Sequence, residues 1–585
     1  MRTREESKKM DTLANRIFYL AKEQPDKLAV AFKKEQLSYK QLCGKVQGIS
    51  AILKERGIKP GDRVAFSAVS KPETVAVYLA LQLSHAIAVF LDKNATPQSM
   101  RSIYDASESS LLLTDKPMKE SGADCNVLSL REIYALADER SIEEPVPFAP
   151  KENEISEILF TTGTTGAPKG VMLSYGAVYH IFSNTIKGIG IEEKDIVLLP
   201  LPLNHSFALR VLRAVLYQGA TLVLQNGFTF AKEVENNVTA YKCNAMACVP
   251  ASYEVMRSQM QDAFEPVLGH MRYIEFGAGS LSIRQRKEIT KLLQGVTIYN
   301  TWGSSESGGA IFCNVSEVVS DPVKIGSLGR PLAGEVEVKI LDSDGNAMES
   351  DEAHPGRMAL KGAMQMSGYW NNPEATAKTL VDGWLLTGDM AYLDAEGNVY
   401  MLGRIDDIIN VGGEKVSPIE LENIAGQYEY IKECACIGAE DPDGVLGQIP
   451  VLFVVAKSGY DENELVKFIS GKLERYKLPQ RIVKLQEIPR NRMQKIDRRS
   501  LASIWDNRDS LTLVNPVVET ILRRRSIRKF TDKDIPQDIL EMILKCGYHA
   551  PSGHNLQSWR FTVLTKREDI QRLKELSAKA AAEHK

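Results

Sequence analysis

The run Leu159–Gly170, LFTTGTTGAPKG, packs four threonines and three glycines into a short stretch and closes on Pro168, Lys169 and Gly170. Small residues let a backbone wrap closely around a ligand, while hydroxyl and amide hydrogens point at oxygen atoms. Thr161, Thr162, Thr164 and Thr165 supply hydroxyls, Gly163 and Gly166 allow close approach, and Lys169 adds a flexible positive charge. That chemistry suits a polyphosphate. Apolar flanks, Ile155–Phe160 before and Val171–Leu173 after, predict a strand–loop–strand unit. A Walker loop is excluded, because Gly170 rather than Ser or Thr follows Lys169 and no helical pattern starts there. A Gly/Thr surface turn is the plain alternative; the length and order of the run weigh against it.

These residues resemble the phosphate-binding signature of the adenylate-forming superfamily, which includes acyl-CoA synthetases, peptide-synthetase adenylation domains and luciferases. The resemblance implies activation of a carboxylate by ATP as an acyl-adenylate, followed by transfer of the acyl group to a thiol. Four further motifs follow in order. Asn300–Glu306, NTWGSSE, resembles a signature usually written Tyr-Gly-x-Thr-Glu, with Trp302 for Tyr and Ser305 for Thr. An aromatic face stacks on adenine, a hydroxyl reaches the α-phosphate, and Glu306 would hold Mg²⁺, a hard cation that prefers carboxylate oxygen. A Ser-capped helix start is the competing reading of that run. Asp389 in Leu386–Asp389 resembles a ribose clamp completed by Arg404, and Asp406 matches the family's hinge, where a lid must rotate against the body. An Asx turn accounts for Asp406-Asp407 equally well. Gly412 and Gly413 match the glycine pair flanking a pantetheine tunnel in CoA-using relatives; a plain β-turn is the competing account.

The last motif, Pro489–Arg498, contains Lys495, the adenylation lysine by resemblance, bridging the carboxylate and the α-phosphate as charge develops. Gln494 stands where relatives usually carry Gly. Between the main motifs, the turn at Gly277-Ala278 corresponds to a lining of the adenine and acyl pockets, although such turns also occur simply as strand exits. His205 matches an aromatic position at the mouth of the acyl pocket, or is a buried structural histidine. The resemblance thus gives Lys495, Glu306, Thr165 and His205 as the catalytic set, Glu306 as the metal ligand, and ATP, Mg²⁺ and CoA as cofactors and substrates.

A separate pattern starts near Pro516. Arg524, Ser526 and Arg528 resemble the FMN-phosphate contacts of the nitroreductase family, whose members form intertwined dimers, and Ser552 and Asn555 match a segment that approaches the flavin. A basic helix face followed by a loop is the alternative. Only the first part of that family's pattern is present, so FMN is expected only with a complete nitroreductase domain, and a homodimer through this segment is an open expectation.

The elements that must position these residues suit a several-domain chain of 585 residues. With 44% hydrophobic and 25% charged residues and a net charge of -3, nothing suggests a field for nucleic acid. The charged N-terminus is no secretory signal, and the apolar stretch Thr74–Leu91 is broken by Gln82, Ser84 and His85, so it reads as a buried helix and strand rather than a membrane span. The eight cysteines lack zinc spacing, and a reduced, cytoplasmic chain is expected. Alternating helix and strand patterns predict an α/β body over residues 10–403. A small α+β lid is expected over 404–503, a polar linker over 504–515, and a partial nitroreductase-like α+β segment over 516–585. The expected activity is carboxylic acid–CoA ligation. Alternatives are an acyl-AMP ligase that loads a separate carrier protein, a fused synthetase and FMN oxidoreductase, and a non-catalytic nucleotide sensor, against which the intact Glu306, Asp389 and Lys495 argue.

Overall fold

The phosphate-type run begins where a buried strand meets its hairpin partner. Ile155–Thr161 pairs antiparallel with Lys169–Ser174, so Thr161 and Lys169 face each other at the two feet of the connecting loop. The computed structural model describes residues 11–118, 125–139, 149–161, 168–228, 230–279, 281–442, 444–491, 495–507, 535–548, 562–564 and 566–583. Thr162, Gly163, Thr164, Thr165 and Gly166 therefore lie outside the described residues, as do Arg524, Ser526, Arg528, Ser552 and Asn555.

The chain divides into two compact units, Met1–Asn507 and Arg508–Lys585. Within the first unit, the described residues build two large sheets of mainly parallel strands. One has seven strands and carries the phosphate-loop hairpin beside Ile87–Asp92; the other has nine and carries Tyr273–Phe276, Thr297–Ser304 and Gly308–Asn314. The strands are nearly continuous apolar runs, such as Ile87–Asp92 (IAVFLD), because helices cover both faces of a parallel sheet. Local signals agree: Ser38 and Gln41 form a capping box on the helix Tyr39–Glu55, and Pro72 opens the helix Pro72–Leu83, which is buried up to its last residue.

Two expectations change here. The alternating α/β pattern does not run on to residue 403: between Glu337 and Arg404 the chain forms a separate antiparallel sheet, apart from Gly368–Tyr369, which joins the seven-stranded sheet, and its turns include Gly345, Gly383 and Gly397 at positive φ. Short connections allow only antiparallel neighbours, whereas parallel ones need long crossovers. This sheet places Asp389 directly opposite Arg404.

The lid is a three-stranded sheet, Ile431–Glu440, Gln448–Ala456 and Arg481–Lys484, covered on both faces. Cys436, Leu452 and Val454 pack under the helices Pro418–Ala425 and Glu462–Ser470, while Ile437, Val451 and Phe453 face Leu501 and Trp505. The helix Arg498–Asp506 includes residues expected in the linker. Trp505 is buried, so its ring belongs to the lid core and residues 504–506 are not linker. The polar letters around one large aromatic disguised an amphipathic last turn.

In the second unit the described elements are the helices Gln537–Tyr548 and Arg567–Glu583, where Ile539, Met542, Ile543, Leu573 and Leu576 remain exposed. Among the described residues, no helix is long and apolar enough to cross a membrane.

Candidate functional site

The strand Thr297–Ser304 runs straight through the second motif, which sequence reading places after a shorter strand ending at Tyr299. Trp302 is therefore a strand residue, and Ser305–Ser307 form the hairpin turn into Gly308–Asn314. The Ser304 hydroxyl accepts the amide hydrogens of both Glu306 and Ser307, at 3.1 Å each, which fixes the turn that presents Glu306. The Glu306 carboxylate accepts the Tyr369 hydroxyl at 3.0 Å, and its carbonyl accepts the Met366 amide at 2.8 Å. The Ser305 hydroxyl lies 3.4 Å from that of Ser206, at the start of the helix Ser206–Gln218.

Asp389 is the other anchor. It is 94% buried, at 6% relative exposure, and accepts the Trp302 indole N–H at 3.2 Å on one oxygen and the Arg404 guanidinium at 3.4 Å on the other. Burial pushes its pKa up, while Arg404, Trp302 and the nearby Lys495 pull the other way. A carboxylate held between an indole edge and a guanidinium, beside an aromatic face, matches what recognition of a nucleoside needs: a stacking surface and an acceptor for hydroxyls.

Lys495 reaches the same cleft from the lid. Its amide donates to the Asn491 side chain at 3.1 Å, and an isolated bridge joins Arg490 to Ile496, so the loop is closed at its base. The ammonium feels Asp389 and Glu306 as attractive charges and Arg404 as a repulsive one. Surrounding protein lowers its pKa below that of an ordinary lysine. The same ammonium and, more strongly, burial lower the pKa of His205, which Asp92 partly offsets. His205 precedes the helix Ser206–Gln218 in an extended conformation, partly buried, so the structure brings together Lys495, Glu306, Asp389, Arg404 and His205.

Other predicted residues sit differently. The amide of Asn300 is consumed inside the protein: its oxygen accepts from Leu281 N and Arg286, and its nitrogen donates to the Phe276 carbonyl. It ties Phe276, Leu281 and Arg286 together. The turn at Gly277-Ala278 is tight: a Cβ at Gly277 would lie 2.8 Å from the Phe207 ring, and Ala278 is held in the left-handed region at φ 60°. Lys169 places its ammonium 5.2 Å from the centre of the Tyr369 ring. Thr161 donates towards the Lys169 carbonyl at 3.4 Å. Asp406 lies in the single turn Ile405–Asp407 that joins the antiparallel sheet to the lid. Gly412 and Gly413 make the turn between Ile409–Val411 and Glu414–Val416 at φ 61° and 98°, and a Cβ on Gly413 would meet nothing, so the constraint there is backbone conformation.

Sequence reading missed Tyr369. Its backbone pairs with Val171, on the exit strand of the phosphate-type loop, while its hydroxyl binds Glu306. The neighbouring Trp370 amide donates to the Gly170 carbonyl at 2.7 Å. No local spacing announces a contact between residues so far apart; the only available signal was an aromatic run, Gly368-Tyr369-Trp370, with no chemistry attached.

Comparison with known proteins agrees with this geometry. Residues 18–370 match the AMP-binding enzyme family, residues 420–495 the AMP-binding enzyme C-terminal domain, and residues 521–585 the nitroreductase family. A 2-succinylbenzoate–CoA ligase of Geobacillus kaustophilus (strain HTA426) is 31% identical over 497 residues, spanning 84% of this chain and 98% of that protein. A protein of the same name from Bacillus cereus (strain ATCC 10987 / NRS 248) is 29% identical over 497 residues, with 85% and 99% covered. Among solved structures, o-succinylbenzoate CoA synthetase from Bacillus subtilis in complex with its acyl-adenylate intermediate superposes with a TM-score of 0.72 at 26% identity, covering 83% of this chain and 97% of that one. ATP-bound MatB from Rhodopseudomonas palustris gives 0.74 at 23% identity, covering 84% and 99%.

Proposed function

Because the chain belongs to the AMP-binding enzyme family, we propose that it is an ATP-dependent carboxylic acid–CoA ligase that works through an acyl-adenylate and then a thioester. The observation that carries this reading is the meeting of Lys495 from the lid with Asp389, Arg404 and Glu306 from the body. Asp389, backed by Arg404, accepts hydrogen bonds from the ribose hydroxyls, and Trp302 offers its face to adenine. Lys495 lies between the acid and the α-phosphate and neutralises the charge that builds as the carboxylate oxygen attacks phosphorus and pyrophosphate leaves. Lys169 and the threonines of its loop hold the outgoing phosphates.

Glu306 suits Mg²⁺ by donor chemistry, since one of its oxygens is oriented by Tyr369 and a carboxylate is a preferred ligand of a hard cation. When bound, the ion supplies charge neutralisation on the pyrophosphate. After adenylation the lid turns about Asp406, withdraws Lys495 and brings the Gly412-Gly413 turn to the site, leaving a backbone-lined path for the pantetheine thiol. The thiolate attacks the acyl carbon, and AMP departs.

For the acid, 2-succinylbenzoate is the first candidate, supported by the names of the relatives at 28–31% identity. A carrier protein as acceptor is the competing reading. A cytoplasmic setting fits the free cysteines, among them the buried Cys243, Cys248, Cys313 and Cys436. For the segment 516–585 we propose a homodimer contact, with FMN held only where a complete nitroreductase domain is assembled; the match over 521–585 supports it. Sedimentation of the full chain with and without FMN tests this, and a monomer in both conditions overturns it.

The deciding experiment is pyrophosphate release with ATP, Mg²⁺ and a panel of acids, with and without CoA. Acid-dependent release that accelerates with CoA and yields acyl-CoA is the expected result. Release indifferent to CoA favours a carrier protein, and silence across the panel overturns the ligase reading.

A further inference from the structure

The lid also touches the body through residues other than Lys495 and the hinge. Arg284 lies in the first turn of the body helix Ile283–Leu292, which a capping box of Ser282 and Gln285 starts firmly. Its guanidinium donates to two consecutive lid carbonyls, Lys432 at 2.7 Å and Ile431 at 3.4 Å. These carbonyls sit where the strand Ile431–Glu440 begins. The next residue, Glu433, is paired with Arg490, which bridges to Ile496 at the base of the loop that carries Lys495. Arg284 thus grips the lid next to the residue that anchors the base of the Lys495 loop.

We infer that Arg284 is a positioning latch that holds the lid in its adenylating orientation and lets go for the thioester step. A ligand or side chain shifts a conformational equilibrium only by interacting unequally with the two states. The two bonds from Arg284 exist only while Ile431 and Lys432 lie against the helix Ile283–Leu292, which is the same arrangement that brings Lys495 to Asp389 and Glu306. A rotation about Asp406 carries Ile431, Lys432 and Lys495 together, so withdrawing the lysine also breaks the latch.

The grip is built to be reversible. Its acceptors are neutral carbonyls rather than a carboxylate, and Arg284 is only partly buried, so each bond is replaced by water at small cost when the lid leaves. Glu254 on the body also faces Glu433 on the lid, two like charges that oppose docking, although Arg490 pairs with Glu433 and Gln285 donates to Glu254 at 2.8 Å. Arg284 lies outside every motif that carries the adenylation chemistry, so the inference goes beyond the ligase reading while resting on it for its kinetic test.

The test compares wild type, Arg284→Ala and Arg284→Lys in the full chain. Acyl-AMP formation is followed by pyrophosphate release without CoA, and the second half-reaction by acyl-CoA formation from pre-made acyl-AMP. Arg284→Ala is expected to slow the first about tenfold and to leave the second unchanged or faster, with Arg284→Lys recovering part of the loss through its remaining donors. Equal loss in both halves marks a merely structural role and overturns the inference, as does a wild-type adenylation rate in Arg284→Ala. Hydrogen exchange with ATP and Mg²⁺ serves as the arm that needs no acid. Faster exchange at the start of the strand Ile431–Glu440 in Arg284→Ala supports the latch, and unchanged exchange counts against it. A wild type that adenylates no acid therefore sinks the ligase reading alone.

Discussion

Asp389 and Lys495 bring opposite charges into one cleft, but the body and the lid hold them by different means. Asp389 stands mid-strand, buried, with each oxygen engaged by a separate donor and its cross-strand neighbour Arg404 fixed by the same sheet. Lys495 stands on a loop tied at its base by its own amide to the Asn491 side chain, by the Arg490–Ile496 bridge and by the Arg490–Glu433 pair. A preorganised carboxylate suits binding, where the geometry should not change between ATP and AMP. An ammonium on a movable support suits a charge needed in one step and unwanted in the next. The difference fits the proposed division of binding and chemistry between the two parts, and mutations should separate them.

The largest effect should come from the lid. Lys495→Ala is expected to slow adenylation by at least 10²–10³-fold, roughly the loss seen when one preorganised transition-state donor is removed. ATP affinity should stay near wild type, and thioester formation from pre-made acyl-AMP should persist. Rapid-quench measurement of each half-reaction checks this, and loss of both halves would erase the division between lid and body. Asp389→Asn should do the reverse. Nucleotide binding should weaken by about ten- to a hundredfold, the range for a lost charged hydrogen bond. Calorimetry with ATP and with 2′,3′-dideoxy-ATP tests the ribose contact directly: wild type should distinguish the two nucleotides and the variant should not. A variant that still distinguishes them places the ribose elsewhere.

That comparison was only half legible in the sequence. Asp389, Glu306 and Lys495 announce themselves because each sits in a short motif whose residue types state a chemistry. The strand and helix patterns around them were legible for the same reason: the continuous apolar run Ile87–Asp92 and the capping box at Ser38 are local facts. What stayed hidden was long-range. Asn300 looks like a ligand in its motif, yet its amide is spent on Arg286, Leu281 and Phe276. Trp505 looks like part of a polar linker until the lid sheet supplies Phe453 and Val451 for it to cover. Arg284 and Tyr369 carry no motif at all, because their partners lie far along the chain. Pattern singles out residue types suited to chemistry; it does not single out the long-range partners that hold them.

A smaller effect separates the two charges by titration. In the proposed role Lys495 acts only while protonated, and burial lowers its pKa below the ordinary 10.5. Its charge is complete at pH values well under that lowered pKa and is lost as pH rises through it. Adenylation should therefore decline on the alkaline side earlier than an unperturbed lysine would allow. Lys495→Arg cannot deprotonate in this range, so the alkaline decline should disappear even though the rate is lower throughout. An unchanged alkaline limb in Lys495→Arg would assign it to another group.

The smallest effect probes whether the body is as preorganised as its hydrogen bonds suggest. Tyr369 joins the exit strand of the phosphate-type loop to Glu306, holding one carboxylate oxygen from 3.0 Å while Lys169 lies over its ring. Tyr369→Phe keeps the ring and the strand pairing and removes only the hydroxyl. Glu306 then loses one donor in a partly buried place, which is worth about 1 kcal/mol, or about fivefold in an equilibrium constant. Because the carboxylate is still present but less firmly oriented, the loss should appear in the concentration of Mg²⁺ needed for half-maximal pyrophosphate release, with Lys495-dependent chemistry at saturating Mg²⁺ nearly intact. If the maximal rate falls instead while the Mg²⁺ requirement is unchanged, Tyr369 serves the transition state rather than Glu306, and the body then shares in the chemistry assigned to the lid.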